Sequence, residues 1–117
     1  MNYGLIESIP SPTDLLLGEQ SPDVLSPARD FGQFLPVVEY QKRNFETSAC
    51  VTFSGLNSIE TLLKVKYRLD FNFSDRFTAK MSKTIPGWGN TFVRVANSVR
   101  HDGVVDETFL PWMGSSV

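Results

Sequence analysis

The sequence predicts a single α+β domain in which a mostly helical body follows an extended, proline-rich arm. Five of the seven prolines fall within the first forty residues, where they restrict the backbone to extended and turn conformations. From Ser48 onward, apolar residues recur at three- and four-residue steps, a spacing that is typical of helices. We therefore assign residues 1–40 to the arm and residues 41–117 to the body.

The arm is too apolar to be a free linker, because hydrophobic side chains stand between its prolines. They are Leu15, Leu16, Leu17, Val24, Leu25, Phe31, Phe34 and Leu35. We expect this segment to lie along the body and to end in a short strand through Val37 and Val38.

The strongest helical pattern predicts a first helix over about residues 49–66. Its stripe consists of Phe53, Leu56, Ile59 and Leu63, which share one face of a helix. Ser48 is the expected N-cap. A helix that starts there places Cys50 in its first turn.

A second helix is expected over about residues 74–82. The hydroxyl of Ser74 can cap it, and the Asp75 carboxylate favours the positive end of its dipole. The glycines and the proline that follow predict an irregular loop up to residue 90.

A third helix is expected over about residues 90–102, capped by Asn90 and stopped by Gly103. Its apolar face should pack against the first helix and consists of Phe92, Val95, Ala96 and Val99. Beyond it, Val104 and Val105 begin a segment that we expect to stay extended up to Trp112.

Composition argues against several classes of function. A net charge of −2 offers no basic field to neutralise a row of phosphates, so nucleic acid is not an expected partner. No stretch approaches the roughly 20 apolar residues that span a bilayer, and the N-terminus lacks a signal-peptide pattern. We therefore expect no membrane partner and a cytoplasmic or virion-associated location. No cofactor or metal is indicated.

Cys50 is the only cysteine, so no internal disulfide can form. In the first turn of a helix, backbone N–H groups and the dipole stabilise a thiolate and can also hold an oxyanion. Alternatively, Cys50 packs as a small apolar residue under the start of the helix. The pattern alone leaves both interpretations open.

Five motifs follow one another around Cys50. They are LPVVEYQ at residues 35–41, SACVTFS at 48–54, FSD at 73–75, GN at 89–90 and GVVDETFLPW at 103–112. Their order resembles that of papain-like cysteine peptidases. The run IPSPTD at residues 9–14 is similar to the N-terminal segment of bacterial and phage-type members. The resemblance implies the mostly helical lobe of a papain-like fold.

The resemblance also implies roles for individual residues. Cys50 would be the nucleophile, Gln41 would stabilise the oxyanion, and Gly89 with Asn90 would line the substrate cleft. Three departures accompany it. Gln41 stands nine residues before Cys50, farther than in the family, and Asn44 takes the family's position. Thr47 replaces a second cysteine, and Val51 replaces an aromatic residue.

The catalytic histidine of the family lies about 130–150 residues beyond the cysteine, whereas 67 residues follow Cys50 here. The sole histidine, His101, is predicted at the exposed end of the third helix. The chain therefore resembles the N-terminal half of a peptidase and is expected to be inactive alone. Its partner would be a C-terminal β-rich lobe or another chain, and its substrate a peptide. The alternative is a non-catalytic structural or interaction protein in a larger assembly such as a phage particle.

Overall fold

A computed structural model describes residues 4–14, 31–40 and 47–112 of the chain. Three α-helices follow one another: α1 (Cys50–Tyr67), α2 (Asp75–Met81) and α3 (Phe92–Asp102). Short 3-10 turns cover Gly32–Phe34 and Glu107–Phe109. About half of the described residues are helical and few pair in strands, so helices are the main regular structure there, as the sequence predicts.

Pairing between extended segments is sparse in the part of the chain that the structure describes. It consists of three isolated bridges, which join Leu5 to Asn90, Phe73 to Asp106 and Ile85 to Gly89. None of the helices over these ranges combines the length and the apolar character needed to cross a membrane.

Helix α1 begins one residue later than predicted, and its N-cap is Ala49 rather than Ser48. Its buried face comprises Val51, Thr52, Phe53, Leu56 and Glu60. The expected stripe members Ile59 and Leu63 are only half-buried. The buried face therefore differs from the predicted stripe and includes Glu60, a charged residue that a search for apolar spacing does not select.

Helix α2 starts as predicted. The Ser74 hydroxyl accepts a 3.0 Å hydrogen bond from the N–H of Phe77 and donates one to the carbonyl of Leu110. The Ser74 N–H donates to the carbonyl of Val105 at 2.8 Å. These contacts fasten the segment after α3 to the start of α2. That segment is not extended throughout, because the turn Glu107–Phe109 interrupts it.

Helix α3 is capped by Thr91, whose hydroxyl accepts a 3.2 Å hydrogen bond from the N–H of Arg94, and not by Asn90.

The predicted packing face of α3 is wrong. Phe92 is 52% exposed and Ala96 is exposed, while Val99 is half-buried. The buried positions are Val95 and Ser98. Apolar residues lie on more than one face of this short helix, so their spacing alone did not identify the face that is buried. The hydroxyl of Ser98 tolerates burial because it donates to the carboxylate of Asp102 at 2.9 Å.

The described part of the arm does not form the predicted strand. No strand forms through Val37 and Val38, which are 79% and 72% exposed, because no neighbouring segment within the described ranges pairs with them. Phe34 contacts the end of α1, where the Arg68 guanidinium lies 4.8 Å from the centre of its ring. The predicted apolar contacts of Leu15, Leu16, Leu17, Val24 and Leu25 lie outside the described residues.

The core is small and forms where α1, α2 and the C-terminal segment meet. Ala49, Phe53 and Ala79 are buried together, and Trp112 packs against them. The rings of Phe53 and Trp112 stack with their centres 6.3 Å apart. The segment after α3 therefore covers the same end of α1 that carries Cys50.

Candidate functional site

Cys50 is the first residue of α1 and is half-buried, which confirms its predicted place in the first turn. The cap residue Ala49 has no side-chain oxygen that could accept a hydrogen bond from the first-turn N–H groups. Alanine at this position costs about 1 kcal/mol relative to Ser, Thr, Asp or Asn. The side chain at the cap position therefore bonds to none of these N–H groups.

Ser48 has a different role from the predicted one. Its backbone is left-handed, with φ +54°, and its hydroxyl accepts a 3.1 Å hydrogen bond from the N–H of Gly87. The approach to α1 is thereby joined to the turn at residues 85–89. In that turn, the N–H of Ile85 donates to the carbonyl of Gly89 at 2.9 Å, and the N–H of Gly89 returns a 2.8 Å bond.

The side chain of Asn90 is fully buried and holds this turn in place. Its Nδ2 donates to the carbonyl and hydroxyl of Ser82, at 3.1 and 2.8 Å, and to the hydroxyl of Thr84 at 3.1 Å. Its Oδ1 accepts a 2.8 Å bond from the N–H of Thr91. The side chain therefore has a structural role, and only the backbone of Asn90 is turned toward another segment.

That other segment is the N-terminal part of the chain itself. The N–H of Asn90 donates to the carbonyl of Gly4 at 2.8 Å, and the N–H of Ile6 donates to the carbonyl of Asn90 at 2.8 Å. Together these bonds form the parallel bridge between Leu5 and Asn90. Gly89, at φ +107°, permits the approach, because a Cβ there would collide with the carbonyl of Gly4.

The same segment passes directly beside the thiol. A Cβ built on Gly4 would lie 3.2 Å from the Sγ of Cys50 and 2.7 Å from the carbonyl oxygen of Ser48. Gly4 therefore lies between Cys50 on one side and Gly89 with Asn90 on the other, in a space that we call the groove. The structure brings these three predicted site residues together around the N-terminal backbone.

The remaining candidates are not part of this arrangement. Gln41 lies outside the described residues. His101 is exposed in the last turn of α3, as expected, and no hydrogen bond joins it to any part of the chain that the structure describes.

Two features of the structure were not predicted from the sequence. The first is the pairing of residues 4–6 with Asn90, which joins distant segments and leaves no local pattern. The second is a set of four neighbouring carboxyl groups, those of Glu39, Glu60, Asp75 and Glu107. One signal for this set was present, since Glu60 falls four residues after Leu56 on the buried face of α1.

In comparisons with known proteins, no family model, no curated protein and no solved structure matches the chain.

Proposed function

We propose that the chain is the cysteine-bearing, mostly helical part of a papain-like thiol peptidase of α+β class, and that the histidine comes from outside these 117 residues. That histidine would belong either to a β-rich continuation of the polypeptide or to another chain. The observation that carries the proposal is the groove, in which a backbone segment of the chain pairs with Asn90 and passes beside the thiol of Cys50.

The groove supports a peptide as the ligand. Its wall at Asn90 presents one backbone N–H and one carbonyl, and both pair with backbone groups of residues 4–6. Such pairing recognises an extended chain whatever its side chains are. A substrate bound at this edge would present a carbonyl near the place that Gly4 occupies beside Sγ.

The proposed chemistry follows from the position of Cys50 at the start of α1. The external base takes the thiol proton, and sulfur attacks the peptide carbonyl to give a tetrahedral oxyanion. Backbone N–H groups at the helix start hold that oxyanion, and Gln41 is the proposed additional donor. The base then protonates the leaving amine, and water hydrolyses the thioester.

A peptidyl aldehyde tests the site without requiring the base, because its thiohemiacetal with cysteine resembles the tetrahedral intermediate. We expect mass spectrometry and calorimetry to detect one aldehyde per chain, bound reversibly, and no binding to Cys50→Ser. The matched control is Cys50→Ser/Ser58→Cys, which places a thiol on an exposed position of α1. Binding equal to that of the control, or none, would contradict the proposal.

One observation favours a second candidate, a non-catalytic interaction protein within an assembly. The described end of the arm exposes four large apolar side chains, those of Leu35, Val37, Val38 and Tyr40, and exposed apolar patches mark interaction surfaces. Under this alternative, Val37→Asp/Val38→Asp abolishes the self-association or assembly that sedimentation detects. Cys50→Ser leaves that association unchanged. The peptidase proposal expects the aldehyde to bind both the wild-type chain and the Val37→Asp/Val38→Asp variant.

A further inference from the structure

Three carboxylates from separate segments meet on the side of the body that carries the start of α2. Glu39 comes from the arm, Asp75 is the first residue of α2, and Glu107 begins the last 3-10 turn. One oxygen from each lies within 4.8 Å of the others. Oxygens that bind the same Ca²⁺ ion lie about 2.3–2.6 Å from it, so they stand up to about 5 Å apart. The spacing matches a single ion.

The burial of this group provides a second, independent observation. The side chain of Asp75 is 2% exposed, yet its Oδ1 accepts no hydrogen bond within the described ranges, and neither does the buried Oε2 of Glu107. A buried acceptor without a partner carries the full cost of its desolvation. Two members of the cluster carry such an oxygen, and a bound cation would compensate this cost.

Charge in the cluster is not balanced by any basic side chain in the described part of the protein. Lys64 pairs with Asp70 instead, and the guanidinium of Arg76 donates to the carbonyl of Pro111. Carboxylates within 4.8 Å of one another repel unless a positive charge neutralises part of theirs.

Backbone hydrogen bonds hold two of the carboxylates in position. Glu60 accepts a 2.9 Å bond from the N–H of Phe73, and Glu107 accepts bonds from the backbone of Trp112 and Asp75. The acidic groups therefore remain close together although they repel one another, a property of preorganised ion sites.

We propose that Glu39, Asp75 and Glu107 bind one Ca²⁺ ion, with Glu60 beside them as a further source of negative charge. All the donors are carboxylate oxygens, which suit hard cations, and Ca²⁺ tolerates irregular coordination where Mg²⁺ requires a near-octahedral set at about 2.0–2.1 Å. The bound ion joins the arm, α2 and the C-terminal segment. This role does not depend on the activity of Cys50.

Calcium titration of the full chain, after chelator treatment, tests the proposal. We expect one ion per chain by calorimetry, and a rise in Tm of about 5 °C or more at saturating Ca²⁺. Terbium, a Ca²⁺ substitute, should give sensitised emission on tryptophan excitation, because Trp112 is bonded through its backbone to Glu107. Mg²⁺ at equal concentration should give less than half the Tm shift.

The variants Asp75→Asn and Glu107→Gln should lose both the Tm shift and the terbium emission. They remove a repulsive charge, so they should remain folded in chelator, which circular dichroism checks. Asp70→Asn is the matched control, since it removes one exposed carboxylate and should retain binding. Absence of binding to the folded wild-type chain, or binding retained in both cluster variants, would overturn the proposal.

The sequence neighbours of Glu39 allow one more test. Lys42 and Arg43 lie outside the described residues, and a basic side chain beside the cluster is the alternative to a bound ion. If Ca²⁺ binds only to Lys42→Gln/Arg43→Gln and not to the wild-type chain, the proposal is wrong. Equal binding to both proteins supports it.

Discussion

The backbone N–H of Ile6 donates a 2.8 Å hydrogen bond to the carbonyl of Asn90, and this bond keeps the N-terminal segment against the wall of the groove. A second bond, from the N–H of Asn90 to the carbonyl of Gly4, has the same length. Gly4, which accepts the second bond, lies beside the thiol of Cys50. We therefore expect access to the thiol to depend on these two hydrogen bonds.

Ile6→Pro should expose the thiol, because proline lacks the N–H that bonds to Asn90. One lost hydrogen bond of about 1 kcal/mol corresponds to roughly a five-fold gain in the population that reacts. We expect iodoacetamide to alkylate Cys50 about five times faster in this variant, measured by mass spectrometry. Ser8→Pro is the control, since no hydrogen bond from the N–H of this exposed residue exists in the described structure. Equal rates in the two variants would show that the segment does not protect Cys50.

Gly89→Ala and Gly87→Ala form a matched pair, because both positions have positive φ, +107° and +77°. Each substitution should cost about 1–2 kcal/mol of stability through the backbone alone. A Cβ at residue 87 meets open space, whereas one at residue 89 collides with Gly4. Limited proteolysis should therefore cut within residues 4–14 several times faster in Gly89→Ala. Similar cleavage of both variants would contradict the close contact.

Asn90→Ala should destabilise the protein by about 2–4 kcal/mol, because it leaves the N–H of Thr91 and the carbonyl of Ser82 without their buried partner. Asn97→Ala, on the exposed face of α3, should change stability by less than about 0.5 kcal/mol. Urea unfolding followed by circular dichroism measures both. A small loss for Asn90→Ala would mean that the turn at residues 85–89 does not depend on this side chain.

The acidic cluster predicts a decline in stability with pH in chelator. Burial raises the pKa of Glu60 and of Glu107 from 4.5 to about 7, and these groups favour the folded state while protonated. Their contribution is complete below pH 4.5 and is lost as the pH rises through 7, and Asp75 extends the loss to higher pH. The free energy of unfolding should therefore be larger at pH 5 than at pH 8.

Asp75→Asn should make that pH profile shallower and raise stability at pH 8, because its amide carries no charge at any pH. Asp70→Asn removes a charge from an exposed ion pair and should leave the slope unchanged. A wild-type profile that is flat, or that rises between pH 5 and pH 8, would contradict the pKa directions.

Local signals predicted the helices well. The spacing of Phe53 and Leu56 located α1, and the hydroxyl of Ser74 marked the start of α2, because both signals act within one or two turns of the chain. The cap of α1 was missed for a tertiary reason. Ser48 has the right side chain, but its hydroxyl is taken by the N–H of Gly87, a residue far away in the sequence.

The site was predictable only in part. The position of Cys50 followed from the start of α1, whereas the occupant of the groove did not, because backbone pairing between residues 4–6 and Asn90 has no signature in side chains. Asn90 itself was predicted to line a cleft, and its side chain instead fills a buried network with Ser82 and Thr84. A polar residue between a glycine and a helix is equally consistent with lining a cleft and with joining a buried hydrogen-bond network.

The contacts of the C-terminal segment with α1 and α2 determine when the body can fold during synthesis. Ribosomes make the chain from its N-terminus, so Phe53 and Ser74 emerge well before Trp112 and Leu110, which cover or bond them. Until residue 112 has cleared the exit tunnel, the apolar end of α1 stays exposed on the nascent chain, a state that favours aggregation and chaperone binding. We therefore expect the body to fold only after residue 112 has left the ribosome, and not one helix at a time.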